Sequence, residues 1–223
     1  MKVPSLSESI CDHLRTKIII GELHSGQKLN ENKLSTFLDI SRATLREVLR
    51  ILEKEALVVN VPRRGSFVSK LSLSDLEEVY DARIMLEIHC IELLCDKGIK
   101  EIPEVEKALD LSNLQPVKPE DGSEQIVNYQ RVCSAFHRRL VESAGNPKIE
   151  NFYSSISSHL ARYQFMSLHL PKKAAKSNKD HKIIYDQIHR GEYNQAISLM
   201  KAHLNQNLLF LKEKLFREMK EAS

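Results

Sequence analysis

Ile40-Ser41-Arg42-Ala43-Thr44-Leu45-Arg46-Glu47-Val48-Leu49-Arg50 carries two interleaved patterns at helical spacing. Leu45, Val48 and Leu49, continued by Leu52, form an apolar stripe, while Arg42, Arg46 and Arg50 recur four residues apart on another face. Ser41 stands where a helix N-cap is expected. Working outward, Leu6, Ile10, Leu14 and Ile18 recur at helical spacing, with Ser5 or Ser7 to cap that helix and Gly21 to end it. Asn30–Phe37 reads as a short second helix, and Leu38-Asp39-Ile40 as the tight turn into the third. Beyond it, Leu57-Val58-Val59 and Ser66-Phe67-Val68 are β-prone and flank the turn Pro62-Arg63-Arg64-Gly65. Helix, helix, turn, helix and hairpin, in that order, predict a winged helix-turn-helix with a small β-hairpin wing over residues 1–70.

After a short linker at 70–74 the pattern stays helical to the end. Helices are expected near 74–97, 103–114, 123–144, 147–169, 173–190 and 193–221. Breaks are expected at Gly98, at Gln115–Gly122, at Gly145-Asn146-Pro147, at Leu170-Pro171 and at Gly191. The expected architecture is therefore mainly α, with an antiparallel all-helical bundle over 74–223 behind the winged domain.

Composition narrows the functional classes. The chain of 223 residues is 42% hydrophobic and 28% charged, a globular rather than a disordered balance. No apolar run approaches the roughly 18 residues of a membrane span, and Met1-Lys2-Val3-Pro4-Ser5 does not open a signal peptide, so a cytoplasmic protein without a membrane partner is expected. The net charge of +3 is unevenly placed: residues 1–70 carry 12 basic against 8 acidic side chains, and the remainder is close to balance. The first third is thus the part suited to phosphates. Cys11, Cys90, Cys95 and Cys133 form no C-x-x-C pair, and the first three read as free thiols in helical cores.

A helix that reads major-groove edges needs donors that fork onto guanine, with phosphate-clamping groups beside them. Arg42 and Arg46 supply the first, with Thr44 between them, and Arg63-Arg64-Gly65 at the wing is placed either to enter the adjacent minor groove or to hold phosphates. These segments resemble the GntR family of bacterial regulators. The likeness rests on Leu29-Asn30-Glu31-Asn32-Lys33-Leu34-Ser35, Ile40–Leu49, Leu57 and Pro62–Val68, in register over residues 6–68. It implies that Arg42, Thr44 and Arg46 contact operator DNA, with Arg64 and Gly65 at the wing tip. Two positions depart from the family pattern. Threonine at 44 stands where many relatives have proline. Asn32 replaces an arginine that often touches DNA, with Lys33 as a substitute.

The helical part resembles the FCD domain of the FadR branch of that family. It does so through Asp75, Tyr80, Arg83 and Glu87, then Phe136-His137 and Ala144-Gly145-Asn146-Pro147, then His181, Ile184, Ile188, Gly191, Ala196, Met200 and His203-Leu204. The resemblance implies a divalent transition metal, zinc foremost, on His137, His181 and His203. These lie on three expected helices, as imidazole ligands from facing helices do. Cys133 stands one turn before His137, where relatives carry an aspartate; it is either a thiolate ligand or a filler. The resemblance further implies a small effector, a carboxylate, near the metal. Arg83 and Arg162 are its candidate cationic partners, although either could instead pair with a structural acid such as Glu87. The other histidines (His13, His24, His89, His159, His169 and His189) read as surface residues.

The expected function is a ligand-responsive regulator, a repressor, that binds an operator as a homodimer. One alternative is a regulator for which the metal or Cys133 is the signal. A remoter one is a metal-dependent enzyme, against which stands the lack of a nucleophile motif or a general base beside the histidines.

Overall fold

The structure is a computed structural model that describes residues 5–111, 122–166 and 170–221. His169 and most of the expected break at 115–122 lie outside the described residues. The chain divides into two compact units, residues 1–71 with 155–162, and residues 72–154 with 163–223.

In the first unit, α1 (Leu6–Ile19) starts at a capping box: Ser5 Oγ accepts from the Glu8 amide, and the Glu8 carboxylate accepts from the Ser5 amide. Leu6 stays exposed, so the buried stripe of α1 begins at Ile10. Helix α2 (Glu31–Phe37) is capped by Asn30, and α3 (Arg42–Lys54) by Ser41, whose Oγ accepts from the Thr44 amide at 3.1 Å. Between them Asp39 takes a φ of 51°, which makes the turn sharp enough to set α3 across α2.

The wing has three strands rather than the expected two. β2 (Val58–Val61) and β3 (Gly65–Val68) pair antiparallel with Val58 opposite Val68, and β1 (Lys28–Leu29) adds to the other edge of β3. A strand of two residues is too short to show an alternating pattern in sequence. At the wing turn Arg63 has φ 65° and Gly65 φ 96°, the second in a region that glycine enters without strain. Leu45, Val48, Leu49 and Leu52 of α3 bury against Ile10, Leu14 and Ile18 of α1 and against Leu57 and Val68 of the wing.

The second unit contains α4 (Leu73–Asp96), α5 (Pro103–Leu111), α6 (Ser123–Ser143), α8 (Pro171–Arg190), α9 (Tyr193–Glu221) and both ends of α7 (Pro147–Phe165). Its core joins Ile91 and Leu94 of α4, Val105 of α5, Phe136 and Leu140 of α6, Ile188 of α8, and Met200 and Leu204 of α9. Gly191 ends α8 at φ 82°, and a Cβ there would meet the Lys100 side chain at 2.8 Å. Two sequence readings need correction. Cys95 is exposed on α4 rather than in a core, and His159 is buried rather than on the surface.

Leu45 is wholly buried in the first core. Leu45→Ala should therefore lower the unfolding free energy by about 2–5 kcal/mol, read from urea denaturation followed by circular dichroism.

Candidate functional site

On α3 the arginine face lies where the apolar stripe leaves it. Arg42, Arg46 and Arg50 are exposed, as are Asn32 and Lys33 on α2 and Arg63 and Arg64 at the wing; Thr44 is partly covered. Arg46 is not free to swing: its Nε donates to Glu31 Oε2 at 2.8 Å. Spacing within α3 could not reveal this pairing, because Glu31 belongs to another helix. Arg64 and Lys28 both lie about 6 Å from the Phe67 ring, which lines up two cations along the wing.

In the second unit, His137 on α6, His181 on α8 and His203 on α9 converge. One ring nitrogen from each lies within 4.8 Å of the others, and all three rings are buried. The Nε2 atoms of His181 and His203 face each other at 3.1 Å. Phe136 stacks on the His181 ring, with centroids 4.3 Å apart, and fixes its plane.

Two carboxylates orient this group from behind. His137 Nδ1 donates to Glu87 Oε2 at 2.6 Å, and His203 Nδ1 lies 3.4 Å from Asp180 Oδ2. A carboxylate on Nδ1 leaves the Nε2 lone pair for another partner, the usual arrangement of an imidazole that ligates a metal. At present the His203 Nε2 accepts from Asn207 Nδ2 at 3.0 Å.

Glu87 is shared. Its Oε1 accepts from Arg83 Nε at 2.7 Å and from the Tyr153 hydroxyl at 3.1 Å, with all of these groups buried. Burial alone would raise the Glu87 pKa, but His137 and Arg83 outweigh it and hold the carboxylate ionised, well below its usual range. Burial pushes His137 down, and it pushes His181 and His203 far down, with the neighbouring imidazole of His137 adding to the effect. Three neutral imidazoles with converging nitrogens form a donor set of the kind that holds a divalent transition metal, and the buried carboxylate supplies counter-charge.

Cys133 lines the same cavity as His137, but its sulfur is not part of the three-nitrogen group. Burial raises its pKa to about 11, only partly offset by a hydrogen bond with Tyr129.

A cavity of about 640 Å³, its open mouth included, adjoins the histidines. Arg83 and His137 line it, together with Gln130, Gln164, Lys173, Ser177 and Asn207. Arg162 is elsewhere: its guanidinium donates to the Ser69 hydroxyl at 2.7 Å and to the Ser69 carbonyl at 3.0 Å, so the second cation expected at this site is not brought to it. Lys173 and Ser177 escaped sequence reading, although both lie four-residue steps before His181 and so share its face of α8.

A helix-turn-helix with a basic wing, joined in one chain to a helical unit that brings three histidines together beside a cavity, is the make-up of a DNA-binding transcriptional regulator. Residues 6–68 match the bacterial regulatory proteins of the gntR family, and residues 78–206 match the FCD domain. The chain belongs to the GntR family, in its FCD-bearing branch. It is 25% identical over 205 residues to the HTH-type transcriptional regulator YdhC of Bacillus subtilis (strain 168), covering 92% of this chain and 90% of that protein. It is 29% identical over 156 residues to the gluconate operon transcriptional repressor of Bacillus licheniformis, covering 70% and 62%. The fold is that of a GntR transcriptional regulator from Rhodococcus sp. RHA1, with a TM-score of 0.74 at 24% identity over 93% of this chain and 98% of that one. These relatives are transcriptional regulators, which removes the enzyme alternative.

The depressed imidazoles have a measurable consequence in metal-free protein. The unfolded chain protonates His181 and His203 near pH 6.5, whereas the fold keeps them neutral. Below that pH the unfolded state binds more protons, so stability falls as the solution is acidified from about pH 7 to pH 5. Urea midpoints measured across this range should decline, and His181→Asn should flatten the decline.

Proposed function

We propose that the protein is an operator-binding repressor that works as a homodimer. In this reading it is controlled by a small carboxylate held beside a divalent transition metal on His137, His181 and His203. The observation that carries it is the convergence of three buried imidazoles, one of which, His137, also lines a cavity of small-molecule size. A bound divalent cation, with zinc the first candidate, would supply the positive charge that takes up a carboxylate. Glu87 and Asp180 hold two of the rings for it. Because Arg83 is already neutralised by Glu87, it orients the site as well as lending the effector a donor. Repression as the direction of control agrees with the gluconate operon relative, which is named a repressor. A redox role for Cys133 draws no support from a half-buried thiol whose pKa is raised to about 11.

On the DNA side, Arg42, Thr44 and Arg46 read bases, while Asn32, Lys33, Arg63, Arg64 and Gly65 contact the backbone. One such helix reads only a few base pairs, so a specific operator calls for two half-sites and two chains. Arg42→Ala or Arg46→Ala should each weaken specific operator binding by about 1–3 kcal/mol in gel-shift titrations. Sedimentation of the complex should find two chains per operator; a one-to-one complex of full affinity would end the dimer reading.

The sensor half is tested by elemental analysis of protein purified without tag or chelator. Close to one transition-metal ion per chain is expected, retained in Cys133→Ser and reduced in His203→Ala. Operator-bound protein loaded with zinc is then challenged with a panel of carboxylic acids. Release by an acid, lost after EDTA treatment, supports the reading. Release by metal alone would instead make the metal the signal.

A further inference from the structure

Three imidazole nitrogens do not fill the shell of a divalent transition ion, which takes four donors or more. A fourth donor from the protein would have to stand where the imidazole lone pairs meet. Two donors of one such ion lie about 3.0–3.4 Å apart, because each sits about 2.1 Å from it at an octahedral or tetrahedral angle. His181 Nε2 and His203 Nε2 meet that spacing at 3.1 Å. So does the carboxamide of Asn207, whose Nδ2 is 3.0 Å from the same His203 Nε2.

Asn207 follows His203 by four residues on α9, so the two share one face of that helix. It is half-buried and lines the cavity together with His137. Its amide stands on the Nε2 side of the His203 ring, while Asp180 lies on the Nδ1 side. A half-turn of the carboxamide exchanges Nδ2 for Oδ1 at that point, since the two atoms differ little in reach. With Nε2 bound to an ion, Nδ2 loses its acceptor and Oδ1 is drawn to the positive charge, so both changes favour the turned amide. Two neighbours fit less well. Ser177 Oγ is 3.3 Å from His181 Nε2, but a neutral hydroxyl oxygen is a poorer donor to a cation than an amide oxygen. Cys133 lines the cavity without its sulfur joining the converging nitrogens.

Resting on the metal reading above, we infer that Asn207 is the fourth protein ligand of the ion, through Oδ1. The donor set is then three imidazoles and one amide, all of them neutral. A neutral fourth donor leaves more of the positive charge for an anion in the cavity than a carboxylate in its place would. An oxygen beside three nitrogens also suits borderline ions such as zinc and cobalt better than the soft ions that seek sulfur.

Zinc titrations of the full-length protein, stripped with EDTA and read against a chromogenic chelator, test this in wild type, Asn207→Leu and Asn207→Asp. Leucine is close to asparagine in size and offers no donor, so zinc affinity should fall about tenfold or more. Aspartate presents an oxygen of the same reach with a charge added, and should bind zinc about tenfold or more tightly than wild type. An amide that served only as a hydrogen-bond partner of His203 would compete with zinc for Nε2. Asn207→Leu would then bind zinc as tightly as wild type or more tightly, and that result overturns the inference. So does an Asn207→Asp variant that gains nothing. The visible absorption bands of the cobalt-loaded protein give a second reading. They should move in both variants, because a donor atom has changed; identical bands in all three proteins overturn the inference. Thermal melts of the stripped proteins check folding, and if Asn207→Leu does not fold, Asn207→Asp and its cobalt bands decide. Wild-type protein that takes up neither zinc nor cobalt brings down the metal reading itself, whereas uptake that neither variant alters removes Asn207 alone.

Discussion

A single buried carboxylate organises the helical unit. Glu87 accepts from Arg83, Tyr153 and His137 at once, and none of these groups is open to water. Ionised Glu87 alone in that interior would be prohibitively costly, and so would Arg83. Together they are stable, and the pair turns an otherwise mobile imidazole into an oriented one. Helices α4, α6 and α7 each contribute a side chain to this arrangement, so their relative placement and the shape of the histidine group are one problem with one solution. Breaking the pair by removing either partner leaves an uncompensated charge, which makes Glu87 as structurally demanding as any apolar residue of the core.

Arginine serves opposite ends in the two units. Arg83 is wholly buried and answered by a carboxylate, so its charge is consumed by the fold. Arg42, Arg46 and Arg50 stand on the exposed side of α3, where Glu31 holds Arg46 in place from α2. A guanidinium held by a neighbouring carboxylate loses less rotamer entropy when it meets a ligand than one that swings freely. The pairing also has a cost, since Glu31 competes with the phosphates or bases that Arg46 would meet.

The histidine group shows why transition-metal chemistry and a neutral resting state go together. Burial keeps all three rings uncharged, which is the form that can ligate, and the carboxylates behind His137 and His203 present the remaining lone pairs inward. Cys133 lines the cavity beside them, and its sulfur stands outside the three-nitrogen group.

Much of this protein was legible in its sequence, because local rules are written in local spacing. The stripe of Leu45, Val48 and Leu49, the caps Ser5, Asn30 and Ser41, the breaks at Gly98, Gly145 and Gly191, and the six helices of the second unit all follow from periodicity and capping over a few residues. The three histidines were found through their positions in a familiar pattern. What the sequence left undecided depended on partners distant in the chain. Strand β1 exists only because β3 offers it an edge. Glu31 reaches Arg46, Arg162 reaches Ser69, and Asp180 reaches His203 across separations that no periodicity records. Arg83 could have met an effector or a structural acid, and composition could not choose between them. Only the packed bundle reveals the structural acid, Glu87, buried beside Arg83 where an unpaired charge cannot persist.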